Sequence, residues 1–311
     1  MAYQLRRTES IADGLRRLAR KELRSARARL RRALPPSVEA VHEARKSVKK
    51  VRTIVHLIDA DAGRALDASG TRLRAVNRKL SQLRDADVML ECLSTLRREF
   101  PEALSEHTFA RVRRQLVAHV QKIARDDARD GTWKKVDRKL RTLRRNAKRW
   151  RPRHRGFGAL APGIRSTHRR GRKALARARQ RRRAADFHEW RQEMKTLWYE
   201  LRLVERSSAD VRRDVRALHR AETWLGDDHN VAVLCEQLSR DPSLKGQIDL
   251  KRLQSAADAY QHRLREKAMS SARGIYTMTS GTFVRRIKRA WKAWHREPGA
   301  RPHRTPRRAA A

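Results

Sequence analysis

The chain has few of the residues that would tie it to a disulfide scaffold or to a membrane. It contains only two cysteines, Cys92 and Cys235, among 311 residues. Both have apolar neighbours at helical spacing, so we expect two buried free thiols in a reducing compartment. No segment approaches the ~18 consecutive apolar residues of a membrane span, and residues 1–14 contain no apolar run of signal-peptide length. These absences predict a cytoplasmic protein.

Acidic and aromatic residues are also scarce. The chain has 34 Asp and Glu against 78 Lys and Arg, a net charge of +44, and its aromatic content is 5%. Such an excess of positive charge repels itself in the free protein and favours an anionic partner, such as nucleic acid, an anionic membrane or inorganic polyphosphate. Hydrophobic residues still make up 39% of the chain, which is enough for a core and argues against wholesale disorder.

Motifs for catalysis and metal binding are missing as well. The sequence contains no Walker-type phosphate loop and no GxSxG element. Asp227, Asp228 and His229 are adjacent on one helical segment and point in different directions, so we expect helix capping there, with Asp85 in the same role earlier in the chain. We therefore predict a protein that is not an enzyme and that holds no metal or cofactor.

Helix-forming residues dominate what remains, and strand signals are nearly absent. Glycine and proline divide the chain into two series of predicted helices. Their ranges are 10–34, 37–61, 64–82, 85–99, 102–129 and 132–150, then 163–184, 186–207, 208–225, 229–240, 247–279 and 281–296. Segment 151–162 contains prolines and glycines and is predicted to link the series. Residues 297–311 are rich in proline and arginine and are predicted to form a disordered basic tail.

The two series repeat one unit. The string His42-Glu43-Ala44-Arg45 recurs 146 residues later as His188-Glu189-Trp190-Arg191. Segment 14–16 matches segment 163–165 upstream, and segment 80–88 matches segment 225–233 downstream. Three matches in the same order predict one helical domain over 1–296, with repeat one at about 5–150 and repeat two at about 163–296.

Each unit carries basic rows on two helices. On the second helix, apolar residues at steps of three and four form a core stripe, and basic residues follow one position later, about 100° round the helix. This stripe contains His42, Arg45, Lys49, Arg52 and His56 with Lys46 at its side, and in repeat two His188, Arg191, Lys195, Trp198 and Arg202. The first helix adds a row of Arg16, Arg20, Arg24 and Arg27, and in repeat two Arg165, Arg169 and Lys173. Because acidic residues at i,i+4 are scarce on both rows, we interpret them as one anion-binding trough rather than a solvated surface.

These motifs resemble those of the conserved histidine α-helical domain, or CHAD, family. The family pattern is a histidine followed by basic residues at +3, +7 and +10. Repeat one matches it in full, whereas repeat two departs from it at +10, where Trp198 replaces the basic residue. The family element LGxxRDxxV resembles Leu80–Val88, where Ser81 replaces glycine, and Leu225–Val233, where His229-Asn230 replaces Arg-Asp. The resemblance covers about residues 5–295.

The resemblance implies an all-α fold of two pseudo-symmetric, repeated antiparallel helical bundles. It also implies non-catalytic binding of inorganic polyphosphate along a basic surface, often at polyphosphate granules. The family's accompanying triphosphate-processing domain, marked by ExExK, has no counterpart here. Carried over by position, the polyphosphate-binding residues are Arg16, Arg20, Arg24, His42, Arg45, Lys46, Lys49, Arg52, Arg165, Arg169, Lys173, His188, Arg191, Lys195 and Arg202.

Non-specific binding of DNA or RNA is the alternative function. A protein this basic holds nucleic acid at low salt. Against specific recognition, aromatic residues do not interleave with the basic rows as stacking platforms, and no zinc-finger, KH or RNP pattern is present.

Overall fold

Helices account for nearly all of the regular structure. The structure is a computed structural model that describes residues 3–103, 105–240 and 250–296, and no strand occurs in these ranges. Repeat one contains α1 (Ile11–Leu30), α2 (Val38–Ala62), α3 (Asp67–Glu99), α4 (Glu106–Arg129) and α5 (Thr132–Asn146). Repeat two contains α6 (Ala161–Arg181), α7 (Ala184–Leu203), α8 (Ala209–Arg240), α9 (Leu250–Tyr276) and α10 (Ser280–Arg296). The predicted all-α fold is confirmed.

Local signals set the ends of the first helices. Ser10 caps α1 by accepting a hydrogen bond from the backbone N–H of Asp13 at 3.1 Å. Ser37 does the same for α2 through Ala40, also at 3.1 Å. Gly63 ends α2 with φ +68°, a left-handed conformation that glycine adopts without strain. These caps satisfy orphan backbone groups where the chain must turn back.

Two predicted breaks are wrong. The predicted helices 64–82 and 85–99 form the single helix α3, and 208–225 and 229–240 form the single helix α8. Positions 85, 227 and 228 therefore lie inside helices rather than at their N-terminal ends. Asp228 instead accepts a hydrogen bond from Arg265 Nε at 2.7 Å, which ties α8 to α9.

Both hydrophobic clusters draw residues from both repeats. The larger one contains the apolar stripes of α2 and α7 together with residues of α1, α5, α6 and α10. The smaller one joins the far ends of α3 and α8 to α4 and α9. The segment predicted to be a linker also contributes, because Phe157 is buried 6.4 Å from the Trp291 ring. The repeats therefore share their cores.

Three further expectations concern termini, thiols and membranes. Cys92 is buried and Cys235 is half-buried, and both are free thiols. None of the described helices is long and apolar enough to cross a membrane. The predicted tail, 297–311, lies outside the described residues.

Candidate functional site

A cavity of about 1230 Å³ lies between α2 and α7 and is flanked by α3 and α8. Its described lining contains eleven Lys and Arg residues, five histidines and only four Asp and Glu residues. A concave surface lined by one sign of charge concentrates the potential and attracts polyanions. The basic lining residues are Arg45, Lys46, Lys49, Lys50, Arg52, Arg74, Arg170, Arg191, Lys195, Arg202 and Arg216.

The histidine-led stripes of both repeats meet in this cavity. The apolar residues of α2, such as Val41, Ala44 and Val48, are fully buried, so the stripe one position later is turned to the edge of the core. The same arrangement holds on α7. The cavity therefore brings together nine of the predicted site residues, namely His42, Arg45, Lys46, Lys49, Arg52, His188, Arg191, Lys195 and Arg202.

The row on α1 lies elsewhere and does not line the cavity. Helix α1 packs against α5, and Arg27 pairs with Asp137 across this contact, with Nε 2.8 Å from Oδ1. Arg24 and Arg20, one and two turns before Arg27 on α1, lie close to Arg144 on α5. Desolvation lowers the pKa of Arg144, and the charges of Arg24 and Arg20 lower it further. Arg16 pairs with Asp13 in its own helix.

The row on α6 is also outside the cavity. Arg165 and Arg169 line a separate recess of about 410 Å³ together with His154 and Ser166, and Lys173 is exposed. The expectation that the two rows of each unit form one trough is therefore wrong. The physical reason in repeat one is that α1 places Arg20, Arg24 and Arg27 against α5, a neighbour that the sequence pattern does not reveal.

The cations inside the cavity crowd one another. Burial lowers the pKa of Lys49 to about 6, and the charges of Lys195, Arg45 and Arg191 lower it further. Burial also lowers the pKa of Lys195. Anionic groups placed among these side chains would favour their charged forms.

Some of the stripe is compensated by acidic residues, contrary to the expectation from the sequence. Lys46 Nζ donates to Glu43 Oε1 at 2.7 Å. In repeat two, the buried carboxylate of Glu222 accepts from Lys195 Nζ and from Arg191 Nη2, the latter at 3.2 Å. Glu222 lies on α8, about thirty positions from both partners, so a search at i,i+4 misses it.

A family model described as the CHAD domain matches residues 17–239. The chain belongs to the CHAD domain family. The crystal structure of the CHAD domain from the plant Ricinus communis is 18% identical to this chain, with a TM-score of 0.58, and the match covers 94% of this chain and 95% of that one. PptA from Streptomyces chartreusis is 16% identical, with a TM-score of 0.53, over 91% of this chain and all of that one. At these identities the likeness shows a shared fold. No curated protein matches the chain in sequence.

The family resemblance predicted from the motifs is thus confirmed for this CHAD domain. The family is known to bind polyphosphate. Which residues of this chain contact a ligand remains a prediction.

The departure at Trp198 has a structural role in this CHAD domain. The Trp198 ring stacks on His219, with centroids 4.6 Å apart and planes 7° apart. The Arg202 guanidinium lies 5.0 Å from the Trp198 ring centroid, a cation–π contact. Trp198 therefore holds Arg202 at the cavity and is itself engaged by side chains of the protein, so it is not an open platform for a base.

Two histidines of the cavity are held neutral. Burial and the charge of Arg170 lower the pKa of His56 to about 4, and His56 Nε2 lies 3.1 Å from Thr167 Oγ1. Burial and the charge of Arg191 lower the pKa of His188, and its ring lies 3.9 Å from that of His229. Near neutral pH these rings supply hydrogen bonds rather than charge. Among the residues that the structure describes, no three His, Cys, Asp or Glu side chains come together as a metal-binding group.

Proposed function

We propose that this CHAD domain binds inorganic polyphosphate in the cavity between α2 and α7, without catalysis. The observation that carries the proposal is the lining, in which eleven Lys and Arg residues from both repeats face four acidic residues. Arginine offers paired donors to phosphate oxygens, and lysine offers a mobile charge. A chain of linked phosphates supplies many negative charges at short spacing, which suits cations arranged along two neighbouring helices.

The ligand would relieve repulsion among the basic side chains of the cavity. Burial lowers the pKa of Lys49 and of Lys195, and the neighbouring charges of Arg45 and Arg191 lower both further. Phosphate oxygens among them would favour the charged lysines through charge-assisted hydrogen bonds. In this proposal, affinity comes from the cations that the two copies of the motif, on α2 and α7, bring together in one cavity.

The arginines outside the cavity have a secondary role in this proposal. Those of α1 and α6 would contact parts of a long chain that extend beyond the cavity. They include Arg20 and Arg24, beside Arg144, and Arg165 and Arg169 in their recess. We also expect the protein in the cytoplasm at polyphosphate granules, which imaging of a fluorescent fusion beside a polyphosphate stain would check.

Non-specific nucleic-acid binding is the second candidate, and the net charge of +44 favours it. Competition separates the two. Labelled duplex DNA bound to the full chain should be displaced by polyphosphate at an equal concentration of phosphate, in ~150 mM salt where weak non-specific contacts are screened. If the DNA stays bound under these conditions, the protein is a nucleic-acid-binding protein and the proposal is wrong.

A further inference from the structure

Glu222 occupies the position between the two main cations of repeat two. Its side chain is 6% exposed, and its Oε1 accepts from both Arg191 Nη2, at 3.2 Å, and Lys195 Nζ. Arg191 Nε also donates to the backbone carbonyl of Glu222 at 3.3 Å. Gly226, one turn further along α8, permits this approach, because a Cβ there would lie 3.0 Å from Arg191 Nη2. The α8 backbone and one carboxylate together hold Arg191 in place.

Repeat one lacks this carboxylate. The matched segments align Leu225 with Leu80, so the counterpart of Glu222 is Asn77 on α3. Asn77 lines the same cavity, and its Oδ1 is buried without a hydrogen-bond partner among the described residues. The two halves of the cavity therefore differ at one equivalent position, with a negative charge in repeat two and a neutral amide in repeat one.

Glu222 also acts on the cations of the other repeat. It is a nearby carboxylate that favours the protonated form of Lys49, and burial does not keep it neutral, because Lys195 and Arg191 lower its own pKa. Glu222 is therefore ionised near neutral pH, and its charge acts on Lys49 of α2 as well as on Lys195 and Arg191 of α7. A phosphate group that bonded Arg191 and Lys195 would have to take the place of this carboxylate.

We propose that Glu222 is an internal counter-ion that occupies the anion position between Arg191 and Lys195, and that it makes the cavity select long polyphosphate over short phosphates. The selectivity rests on the proposed function. A short anion must displace a carboxylate that is tethered beside its partners and therefore competes at high effective concentration. A long chain first engages the cations of repeat one, where no carboxylate stands at the equivalent position. The following phosphates of the same chain are then held near Arg191 and Lys195, so they compete with Glu222 at a high effective concentration of their own.

The test compares Glu222→Gln with Glu205→Gln in the full chain. Glu205 lines the same cavity, but its Oε2 accepts from Gln4 Nε2 at 2.9 Å, and no described contact joins it to Arg191 or Lys195. Each variant thus removes one negative charge from the cavity, at different places. Binding of tripolyphosphate and of a long-chain polyphosphate is measured by calorimetry near pH 6, close to the lowered pKa of Lys49.

Glu222→Gln should bind tripolyphosphate about tenfold more tightly, the equivalent of one charge-assisted hydrogen bond, while long-chain binding improves by less than about threefold. Glu205→Gln should improve both ligands by a small and equal factor. If the two variants behave alike, Glu222 is one charge among others and the selectivity proposal is overturned.

A second variant protects the test against misfolding. Asn77→Asp places a carboxylate at the equivalent position of repeat one without adding volume, and it should weaken tripolyphosphate binding more than long-chain binding. Equal weakening of both ligands would overturn the selectivity. If the wild type binds neither polyphosphate but Glu222→Gln binds tripolyphosphate, the proposed function is wrong and the counter-ion role stands. If neither protein binds either ligand, both proposals are wrong.

Discussion

Lys49 is the residue whose protonation should respond most to a ligand. Burial and the surrounding cations lower its pKa to about 6, so the amine is largely neutral at pH 8 when no anion lies beside it. A phosphate beside it favours the ammonium form and raises that pKa, so binding takes up a proton. Affinity for polyphosphate should therefore be greatest below about pH 6 and fall as the pH rises above that value. Titration calorimetry across pH 5.5–8.5, in buffers of different ionisation enthalpy, measures both the affinity and the proton uptake.

The matched control for this prediction is Lys49→Met, which should bind more weakly and show a flatter pH dependence. Stability of the ligand-free protein changes in the opposite direction. The unfolded chain keeps the lysine proton up to its ordinary pKa of 10.5, so between about pH 6 and 10.5 the unfolded state binds more protons and the contribution of Lys49 to the free energy of unfolding rises with pH. An unchanged pH dependence of binding in Lys49→Met would assign the effect to another group.

For single residues, the sequence predicts which side chains share a face when all of them lie on one helix. The helical spacing of His42, Arg45 and Lys49 predicts that they share a face, and the cavity contains all three. It fails for Glu222, because the partner of Arg191 and Lys195 comes from a different helix. The repeat itself holds the missing signal, since positions 77 and 222 align and only one is acidic.

The elements α2 and α7 carry the same stripe but should respond differently to its removal. Arg45→Ala/Lys49→Ala/Arg52→Ala and Arg191→Ala/Lys195→Ala should both weaken polyphosphate binding and reduce its dependence on salt, because phosphate contacts are lost. The α2 variant should lose more affinity, since it removes three basic side chains of the cavity and the α7 variant removes two. The α7 variant alone should also lose stability, by about 1–3 kcal/mol, because Glu222 is left buried without its partners.

Fluorescence titration and thermal melting of both variants measure these effects. Adding Glu222→Gln to the α7 variant should restore most of its melting temperature. An α7 variant that melts like the wild type would show that the contacts of Glu222 with Arg191 and Lys195 do not stabilise the folded protein.

The composition predicts that these segments are helical, but it does not predict that α3 and α8 each continue as one helix. Gly226 is a plausible break in isolation, since glycine costs about 1 kcal/mol in a helix interior. Helix α8 nevertheless continues through it, because it packs between α7 and α9 and the absent side chain leaves room for Arg191. The direction of the α1 arginines was unpredictable for a similar reason, since it depends on the antiparallel packing of α5 against α1.

For the whole molecule, the internal repeat explains how a chain with a net charge of +44 can form a folded structure. The two repeats bury their apolar stripes in shared cores, and this leaves basic side chains both in the cavity and on outer faces. Net charge alone would attract any polyanion without regard to position. Charge in defined positions, by contrast, predicts that the effect of a substitution depends on its place and on the length of the ligand.

The outer arginines provide the last prediction. Arg20→Ser/Arg24→Ser removes two charges beside Arg144 and outside the cavity. It should weaken the binding of long-chain polyphosphate by about three- to tenfold, with a smaller salt dependence, since phosphates that leave the cavity lose their contacts. Tripolyphosphate, which in this proposal binds within the cavity, should bind as it does to the wild type. Because repulsion among the three arginines is relieved, the variant should melt at a higher temperature than the wild type.

The matched control is Arg301→Ser/Arg304→Ser, which removes equal charge from the C-terminal segment, beyond the described residues. It should weaken long-chain binding less than the α1 variant does and leave the melting temperature unchanged. Equal losses in the two variants would mean that total charge, rather than the position of the arginines on α1, determines long-chain affinity. An equal loss of tripolyphosphate binding in the α1 variant would instead place Arg20 and Arg24 in the same binding site as the cavity stripes, contrary to their position against α5.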